Sequence, residues 1–193
     1  MEEINSFEQK TDQDLVRLSL LSSSSYKLII DKYRQPLLRY IFRLGCKTKD
    51  DAEDVLQETF IKVYLNLNDY DPQMKFSSWL YRIAHNETMN FFRKVKITPQ
   101  VAQSEGEEML MELVSDGEDL SEVVGKNIEI ETIRKIINTL DSKYKDVLIL
   151  KYMEEKSYEE ISDILKKPSG TVATLLNRAK VVLKNELLKY NIN

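Results

Sequence analysis

The sequence predicts an all-helical (all-α) protein built from two small helical domains that an acidic linker joins. Gly and Pro are scarce, at 5 and 4 of 193 residues, while Leu, Glu and Lys are abundant, and this composition favours helices. Apolar residues recur at helical spacing in two blocks of the chain. Between the blocks, residues 96–127 carry 8 Asp and Glu against 2 Lys and Arg and show no sustained periodicity. We therefore expect domains at 11–95 and 128–190, with a flexible linker at 96–127.

The first block contains a short helical pattern over DQDLVRLSLL and three long ones. In the first long pattern the serines at 22–25 can cap the start, Pro36 bends the helix and Gly45 ends it. Next, DDAEDVLQETFIKVYLNL opens with carboxylates, which suit the positive end of a helix dipole. After the loop NDYDPQMK, Ser77 or Ser78 can cap the last helix. The block predicts a three- to four-helix domain whose core includes Tyr26, Ile30, Tyr33, Leu37, Tyr40, Ile41, Leu44, Ala52, Leu56, Phe60, Val63 and Leu67.

The second block has the outline of a helix-turn-helix. IEIETIRKIINTL places apolar residues on one face, and Asp141 can cap the helix that follows. Ser157 and Glu160 form a capping box at the start of a short helix, SYEEISDILKK. The turn KPSG then leads into a longer helix, TVATLLNRAKVVLKNELL. This order predicts a helix-turn-helix domain. In the linker we expect at most a short amphipathic helix at 107–114.

Cysteine and histidine usage limits the chemistry. Cys46 is the single cysteine and His85 the single histidine, so neither an intrachain disulfide nor a zinc site with about four Cys and His ligands can form. The polar, acidic N-terminus lacks the features of a signal peptide, and no apolar run reaches the length of a membrane span. No G-x-S-x-G and no G-x-x-x-x-G-K-[ST] motif is present. We expect a reduced, cytoplasmic protein that is not an enzyme and uses no cofactor or metal.

The long helix of the helix-turn-helix carries polar side chains away from its apolar face. Hydroxyls, amides and bases of this kind can reach phosphates and the base edges of the major groove. A helical hairpin with a polar outer surface is the alternative, and the pattern alone favours DNA binding. The polar positions are Ser169, Thr171, Thr174, Asn177, Arg178 and Lys180.

The stretch FSSWLYRIAHNETMNFFRK, residues 76–94, alternates aromatic side chains with amides and bases. Single-stranded nucleic acid is bound by rings that stack on unpaired bases, at roughly 1–3 kcal/mol each, and by cations that follow the phosphates. The alternative is an ordinary core, since Leu80, Ile83, Ala84 and Phe91 form a core-like face. The residue types leave both roles open.

The carboxylates at 50–58 admit three interpretations: a solvated helix N-terminus, a docking surface for a basic partner, and a metal site, which is the weakest of the three. Ile61 falls roughly on the same side as Asp51, Asp54, Gln57 and Glu58. An apolar residue would be out of place on a face that is only solvated, so its position points towards docking.

Four motifs, DAEDVLQETFIKVY, KFSSWLYRIAHN, SYEEISDIL and PSGTV, occur in the order and at the spacing of one protein family. Each motif alone is moderately specific, whereas the four together are highly specific. The chain resembles the sigma factors of bacterial RNA polymerase (the sigma-70 superfamily), in particular the extracytoplasmic-function (ECF) group. The resemblance implies region 2 at 11–95 and region 4 at 128–190. It implies a factor that binds core RNA polymerase, directs it to promoters through the −10 and −35 elements, and helps to melt the promoter.

The resemblance assigns residues to three surfaces. Segment 54–67 matches the surface that docks on the clamp helices of the polymerase's largest subunit; with the carboxylate before it, this surface comprises Asp51, Asp54, Val55, Gln57, Glu58, Phe60, Ile61 and Tyr64. Segment 69–94 matches the part that melts DNA and captures a flipped base of the −10 element, with Asp69, Tyr70, Lys75, Phe76, Ser77, Trp79, Tyr81, Arg82, Asn86, Asn90, Arg93 and Lys94. Segment 158–177 and the bases after it match the reader of the −35 element, with Tyr158, Ser169, Thr171, Val172, Thr174, Leu175, Asn177, Arg178 and Lys180.

Further partners follow from the resemblance: the flap of the polymerase's beta subunit, promoter DNA, and an anti-sigma factor, which in the family is often membrane-bound. The free chain is expected to be a monomer. The linker matches one that runs through the RNA channel of the polymerase. A flexible chain of 32 residues spans about 30 Å, whereas promoter elements some two duplex turns apart are separated by on the order of 70 Å. The linker must therefore be stretched and held by a partner.

One departure from the family lies at the start of the recognition helix. The family usually has basic residues where this chain has Ala173 and Leu175. Fewer phosphate contacts predict weaker unaided DNA binding and a shallower salt dependence. Two other functions are the alternatives to a sigma factor. A stand-alone helix-turn-helix regulator would not explain the aromatic helix or the acidic face. A helical nucleic-acid enzyme would need a metal cluster or a nucleophile–base pair, and the sequence shows neither.

Overall fold

The computed structural model describes residues 10–95 and 130–191, and all regular structure within these ranges is helical. The predicted all-helical class is therefore confirmed. The predicted linker, with its short helix at 107–114, lies outside the described residues, and the predicted domain boundaries stay a prediction. Two 3₁₀ turns at Ser23–Ser25 and Leu67–Asp69 and a π turn at Ile149–Met153 accompany the α-helices. These are α1 (Asp12–Leu21), α2 (Tyr26–Leu44), α3 (Lys49–Leu65), α4 (Phe76–Val95), α5 (Ile130–Thr139), α6 (Ser142–Leu148), α7 (Tyr158–Leu165) and α8 (Ser169–Asn191).

Helices α1 to α4 form a first bundle around one apolar core. The helical spacing of their apolar residues places one stripe of each helix on the inside. Ile30 differs from the prediction, because it lines a groove between α2 and α3 and is only half-buried, while its neighbour Ile29 takes the inside position. The other predicted core residues of this block are buried. The centre of the core contains Leu37, Ile41, Val63, Leu80 and Ala84, all without exposed surface.

Hydrogen bonds explain where several helices begin and end. At α7 the predicted capping box is present: Glu160 N–H donates to Ser157 Oγ at 3.2 Å, and Ser157 N–H donates to Glu160 Oε2 at 2.9 Å. Asp141 caps α6 by accepting from Lys143 N–H at 3.3 Å. Gly45 ends α2 with a φ of 128°, a conformation that L side chains rarely adopt. These three predictions are confirmed.

Two predicted serine caps are wrong. Ser25 precedes α2 but makes no side-chain capping hydrogen bond. Ser77 and Ser78 lie within the first turn of α4, because this helix already begins at Phe76, whose ring is buried in the core.

Helices α5 to α8 form a second bundle, and its buried apolar residues belong to one cluster with those of the first bundle. Lys166 ends α7 in the left-handed region, with a φ of 51°, and Pro168 precedes the first turn of α8. Helix α7, this turn and α8 form the predicted helix-turn-helix, which is confirmed. The side chains that hold the bundle together include Ile133, Leu148, Ile161, Val172, Leu176 and Leu183.

The two bundles are in direct contact through α4 and α7. Arg82 Nε of α4 donates to the carbonyl of Asp163 in α7 at 2.6 Å. At the rim, Lys75 Nζ lies 3.4 Å from Glu160 Oε1. Helix α4 is thus packed by the first bundle on one side and by the second bundle on another.

The buried hydroxyl of Ser78 in α4 allows a prediction about the free energy of unfolding. Ser78 Oγ finds no hydrogen-bond partner among the described residues. Ser78→Ala removes this atom without breaking a hydrogen bond, so the free energy of unfolding should stay unchanged or rise by up to about 1 kcal/mol. Urea unfolding followed by circular dichroism measures the change.

Ser19→Ala is the matched control for this experiment. Ser19 Oγ is also buried in the first bundle, but it donates to the carbonyl of Leu15 at 2.7 Å. Its loss should lower the free energy of unfolding by about 1 kcal/mol. An equal loss in the two variants would contradict the prediction for Ser78.

Candidate nucleic-acid interface

The outer face of α3 exposes large apolar side chains next to one another. Ile61, Tyr64 and Leu65 are 44%, 45% and 69% exposed. With Tyr26 and Phe60 they line an open groove of about 510 Å³ between α2 and α3. Tyr26 Oη donates to the carbonyl of Phe60 at 2.6 Å, which fixes one wall of the groove. Adjacent apolar side chains that remain exposed in a folded protein mark an interaction surface.

The polar residues predicted for the same surface are accessible, whereas two apolar ones are not. Val55 and Phe60 are 3% and 8% exposed, because they lie on the apolar stripe of α3. Val55 therefore belongs to the core, contrary to its assignment to the docking surface, and Phe60 contributes only to the groove wall. Leu65 was not predicted to lie on this surface. The sequence does carry a signal for it, because Tyr64 and Leu65 are two successive bulky residues outside the apolar stripe of α3. The accessible polar residues are Asp51, Asp54, Gln57 and Glu58.

The aromatic side chains at the start of α4 form a cluster inside the first bundle. Phe76 stacks on Trp79 with ring centroids 5.8 Å apart, and it meets Tyr70 and Tyr33 edge to face at 5.1 and 5.9 Å. Phe76 and Tyr70 are buried, so neither ring has a free face for a base, contrary to the predicted contact. Trp79 is half-buried and keeps part of its indole accessible. The core role that the sequence left open for residues 76–94 therefore holds for Phe76, whereas Trp79 lies at the margin of the core.

The polar face of α4 and the loop before it remain accessible. Arg93 and Asn90 are hydrogen-bonded to each other, and Asn90 Nδ2 also donates to Glu87 Oε1 at 3.0 Å. This arrangement holds an amide and a guanidinium side by side near the end of α4. The exposed predicted residues are Asp69, Lys75, Asn86, Arg93 and Lys94, and Ser77 and Asn90 are half-buried.

Tyr81 and Arg82 are covered by the second bundle. Tyr81 is 4% exposed, and its hydroxyl donates to Glu154 Oε2 at 2.8 Å. Arg43 Nη1 donates to the other carboxylate oxygen of Glu154 at 2.6 Å. Burial and the nearby carboxylate raise the pKa of Tyr81, so its hydroxyl stays protonated. No local sequence pattern connects Arg43 with Glu154, because the two residues lie 111 positions apart in the chain.

The single histidine belongs to the same contact. His85 Nδ1 and Tyr40 Oη are hydrogen-bonded at 3.1 Å, and His85 Nε2 lies 3.8 Å from Asp146 Oδ2. Burial lowers the pKa of His85 to about 4 and raises the pKa of Asp146 to about 7. The imidazole is therefore uncharged at neutral pH. Within residues 10–95 and 130–191, no group of three or more His, Cys, Asp or Glu side chains is placed to hold a metal ion.

The start of α8 presents most of the residues predicted for duplex DNA. Val172 is the exception, because it lies on the apolar stripe of α8 and is completely buried, contrary to its predicted contact with DNA. Leu175 is half-buried and packs against the core. Thr174 Oγ1 donates to the carbonyl of Gly170 at 2.8 Å, so part of its hydrogen-bonding capacity is used within the helix. The exposed residues are Tyr158, Ser169, Thr171, Thr174, Asn177 and Arg178, and Lys180 is half-buried with its Nζ 5.5 Å from the ring centroid of Tyr152.

Comparison with known proteins agrees with this geometry. Residues 29–97 match sigma-70 region 2, and residues 130–183 match sigma-70 region 4. The chain is 38% identical to the ECF RNA polymerase sigma factor SigW of Bacillus subtilis, over 82% of this chain and 87% of that protein. It is 30% identical to the ECF RNA polymerase sigma-E factor of Haemophilus influenzae, over 93% of this chain and 97% of that protein.

Two solved structures show the same fold. The structure of CnrH in complex with the cytosolic domain of CnrY has a TM-score of 0.64 at 20% identity, covering 91% of this chain and 96% of that chain. The sigma factor RpoE in complex with the anti-sigma factor NepR, from Bartonella quintana, has a TM-score of 0.54 at 23% identity, covering 83% of this chain and 98% of that chain.

Fold and surfaces together define a two-domain, helical DNA-binding protein of the transcription machinery. The chain belongs to the sigma-70 family, and its relatives place it in the extracytoplasmic-function group. It is a sigma factor that directs RNA polymerase to promoters, and sigma factors are not enzymes. None of the described helices is both long enough and apolar enough to cross a bilayer.

The burial of Cys46 gives a test of the packing behind α2. Its side chain is 1% exposed, and burial raises the pKa of the thiol to about 12. At pH 8 the native thiol should react with Ellman's reagent at least about a hundredfold more slowly than the thiol of the unfolded chain, because the thiolate is the reactive species. The absorbance of the released thiolate follows the reaction with and without guanidinium. Equal rates in the two conditions would show that Cys46 is accessible.

Proposed function

We propose that this sigma factor docks on core RNA polymerase through the outer face of α3. The observation that carries the proposal is the row Ile61, Tyr64 and Leu65, which exposes apolar surface beside carboxylates on a helix matched to sigma-70 region 2. Apolar surface supplies affinity when it is buried, and the carboxylates select a basic partner surface. The clamp helices of the polymerase's largest subunit are the proposed partner for this face, and the flap of the beta subunit is the proposed partner for the second bundle.

The accessible face of α4 is proposed to hold the melted strand of the −10 element. Asn86, Arg93 and Lys94 supply an amide and two cations for the exposed backbone, and Trp79 supplies part of an aromatic face near the loop. Extrusion of a base from the duplex costs a few kcal/mol, which such contacts have to offset. The rings of Phe76 and Tyr70 are buried against each other at the start of α4.

The start of α8 is proposed to read the −35 element as duplex. Ser169 and Thr171 lie in its first turn, where backbone N–H groups and hydroxyls can hold a phosphate. Asn177 and Arg178 follow on the exposed face and can reach base edges in the major groove. An ideal Cβ at Gly170 would meet nothing within 4 Å, so the backbone at this turn stands clear for a ligand.

The proposed partners extend to a regulator. The two solved structures with this fold contain CnrY and the anti-sigma factor NepR, and they support an anti-sigma factor for this chain as well. In the extracytoplasmic-function group that partner is often membrane-bound. We further propose that the free chain is a monomer, that it acts in the cytoplasm with the polymerase, and that the acidic linker runs through the polymerase's RNA channel.

Transcription from a library of genomic fragments tests the proposed function. Core polymerase is supplied with and without the protein, and the RNA 5′ ends are mapped. New start sites that depend on the protein would establish sigma activity and reveal both promoter elements. If no new start sites appear while the protein alone binds the same duplex fragments tightly, a stand-alone DNA-binding role replaces the proposal.

Ile61→Asp should weaken binding to core polymerase at least about tenfold, because it places a charge in apolar surface that docking buries. Fluorescence anisotropy of the labelled protein titrated with core polymerase measures the affinity. Leu21→Asp is the matched control, since Leu21 is also an exposed apolar residue but lies on α1, outside the surfaces proposed to bind the polymerase. Comparable losses in the two variants would remove α3 from the docking surface.

Arg178→Ala should weaken binding of the −35 duplex by about 1–3 kcal/mol if the guanidinium contacts a base edge. The loss should then be confined to duplexes with the preferred sequence, whereas loss of a phosphate contact would lower binding evenly across sequences. Arg17→Ala is the control, because Arg17 is exposed on α1 of the other bundle. Gel-shift titrations with specific and scrambled duplexes distinguish these outcomes, and no change for Arg178→Ala would remove it from the interface.

A further inference from the structure

A chain of polar contacts runs from α3 to the end of α4 within the first bundle. Lys62 Nζ of α3 donates to Glu87 Oε1 of α4 at 2.7 Å. Asn90 Nδ2 donates to the same carboxylate oxygen at 3.0 Å, and Arg93 Nη2 donates to Asn90 Oδ1. Glu87, Asn90 and Arg93 follow one another at a spacing of three residues, which places them on one side of the helix. Glu87 thus joins a cation of α3 to two residues proposed to hold the melted strand.

These contacts fix the orientation of the Asn90 amide. An ionised carboxylate accepts hydrogen bonds and donates none, so the amide nitrogen has to face Glu87. A guanidinium donates and accepts none, so the amide oxygen has to face Arg93. The last torsion of an Asn side chain is broad and roughly two-fold, so without such partners the oxygen and the nitrogen can exchange places. Glu87 and Arg93 therefore determine which atoms Asn90 presents on this face.

A fixed amide can distinguish one base from another. The bases differ in where their edges carry donors and acceptors, and an unpaired base is read by hydrogen bonds to its edge. The Asn90 amide has two N–H groups and two oxygen lone pairs, of which Glu87 and Arg93 use one each. One donor and one acceptor of defined position remain for the strand. An amide that exchanged its ends would present both patterns and would discriminate less.

The carboxylate of Glu87 lies on a face proposed to bind a polyanion, so its charge needs a partner. The side chain of Glu87 is 12% exposed, and that of Lys62 is 45% exposed. A carboxylate in a poorly solvated place that loses its partner remains as an uncompensated charge. Such a charge would repel the phosphates of a strand on the same face. The contact with Lys62 makes an acidic residue compatible with this surface.

We propose that Glu87 is a positioning residue for recognition of the −10 strand. It holds the amide of Asn90 in one orientation, and Lys62 neutralises its charge. The proposal rests on the proposed function of the α4 face. Glu87 itself is not among the residues that the family resemblance assigns to the −10 element.

Strand binding by the assembled holoenzyme tests the role of Glu87. Each variant, in complex with core polymerase, is titrated into a labelled single-stranded oligonucleotide with the −10 sequence of a mapped start site, and into a scrambled strand. Fluorescence anisotropy gives the ratio of the two affinities. Glu87→Met removes the acceptor and should lower this ratio about fivefold, the effect of one hydrogen bond. An unchanged ratio for Glu87→Met would overturn the proposal.

Glu87→Gln is the matched conservative variant. It loses the charge but keeps an amide oxygen, which Lys62 as a donor selects, so the Asn90 nitrogen retains its acceptor. The ratio of affinities should stay within about twofold of the parent value, since the hydrogen bond to Asn90 is kept. A role in charge or packing alone would not separate the two variants in this way. A ratio for Glu87→Gln as low as that for Glu87→Met would therefore overturn the positioning role.

Lys62→Met tests the neutralising role. It should weaken binding of both strands about threefold, because the carboxylate is left without its partner. Adding Glu87→Gln should restore the affinity, because the double variant has no carboxylate to neutralise. Lys32→Met is the matched control, since Lys32 is also 45% exposed and pairs with Asp12 at 2.7 Å. Absence of rescue, or an equal loss for Lys32→Met, would overturn the role of Lys62.

Arg93→Ala separates this proposal from the proposed function. If α4 holds the strand, Arg93→Ala weakens binding of both oligonucleotides. That loss together with an unchanged ratio for Glu87→Met would overturn the role of Glu87 and leave strand binding by α4 in place. No loss for Arg93→Ala would overturn strand binding by α4 and, with it, the role of Glu87. Because Lys62 follows the docking residue Ile61, the affinity of each variant for core polymerase is measured first, and saturating protein is used.

Discussion

Helix α4 packs against both the first and the second bundle, and the organisation of the molecule depends on this double packing. At its start, Phe76 and Trp79 complete an aromatic cluster of the first bundle. One turn later, Tyr81 and Arg82 turn polar atoms towards the second bundle. A helix with only one buried stripe would leave its other side chains in water. Here a second side is covered as well, so the helix assigned to the melted strand is partly buried by its own chain.

The two kinds of contact on α4 differ in physical character. Within each bundle the helices are held by apolar burial, which is not directional and tolerates similar shapes. Between the bundles the described contacts include a carboxylate with two donors, and His85 Nε2 lies 3.8 Å from Asp146 Oδ2. Buried polar contacts contribute less net stability than apolar ones but require one specific geometry.

The net charge of −4 gives little information about where this protein binds DNA. The 96–127 segment alone carries a net charge of −6, which outweighs the rest of the chain. At the start of α8 the exposed groups are hydroxyls, an amide and Arg178, so the surface is polar more than basic. A weakly basic surface displaces few counterions from DNA, so counterion release adds little to its affinity for DNA. We therefore expect this domain to bind duplex DNA weakly unless a partner such as the polymerase places it there.

The sequence by itself determined the helical class, the helix-turn-helix and most of the core, because these depend on local periodicity and on caps such as Ser157 and Glu160. It also indicated the outer face of α3, since Ile61 breaks the polar pattern within one helix. Only the tertiary structure decided which aromatic rings are buried: residue types cannot separate Phe76 in the core from Trp79 at its margin. The contact between Glu154 and Arg43 is likewise evident only in the tertiary structure. Local patterns extend over a few helical turns, whereas these partners meet through the packing of two bundles.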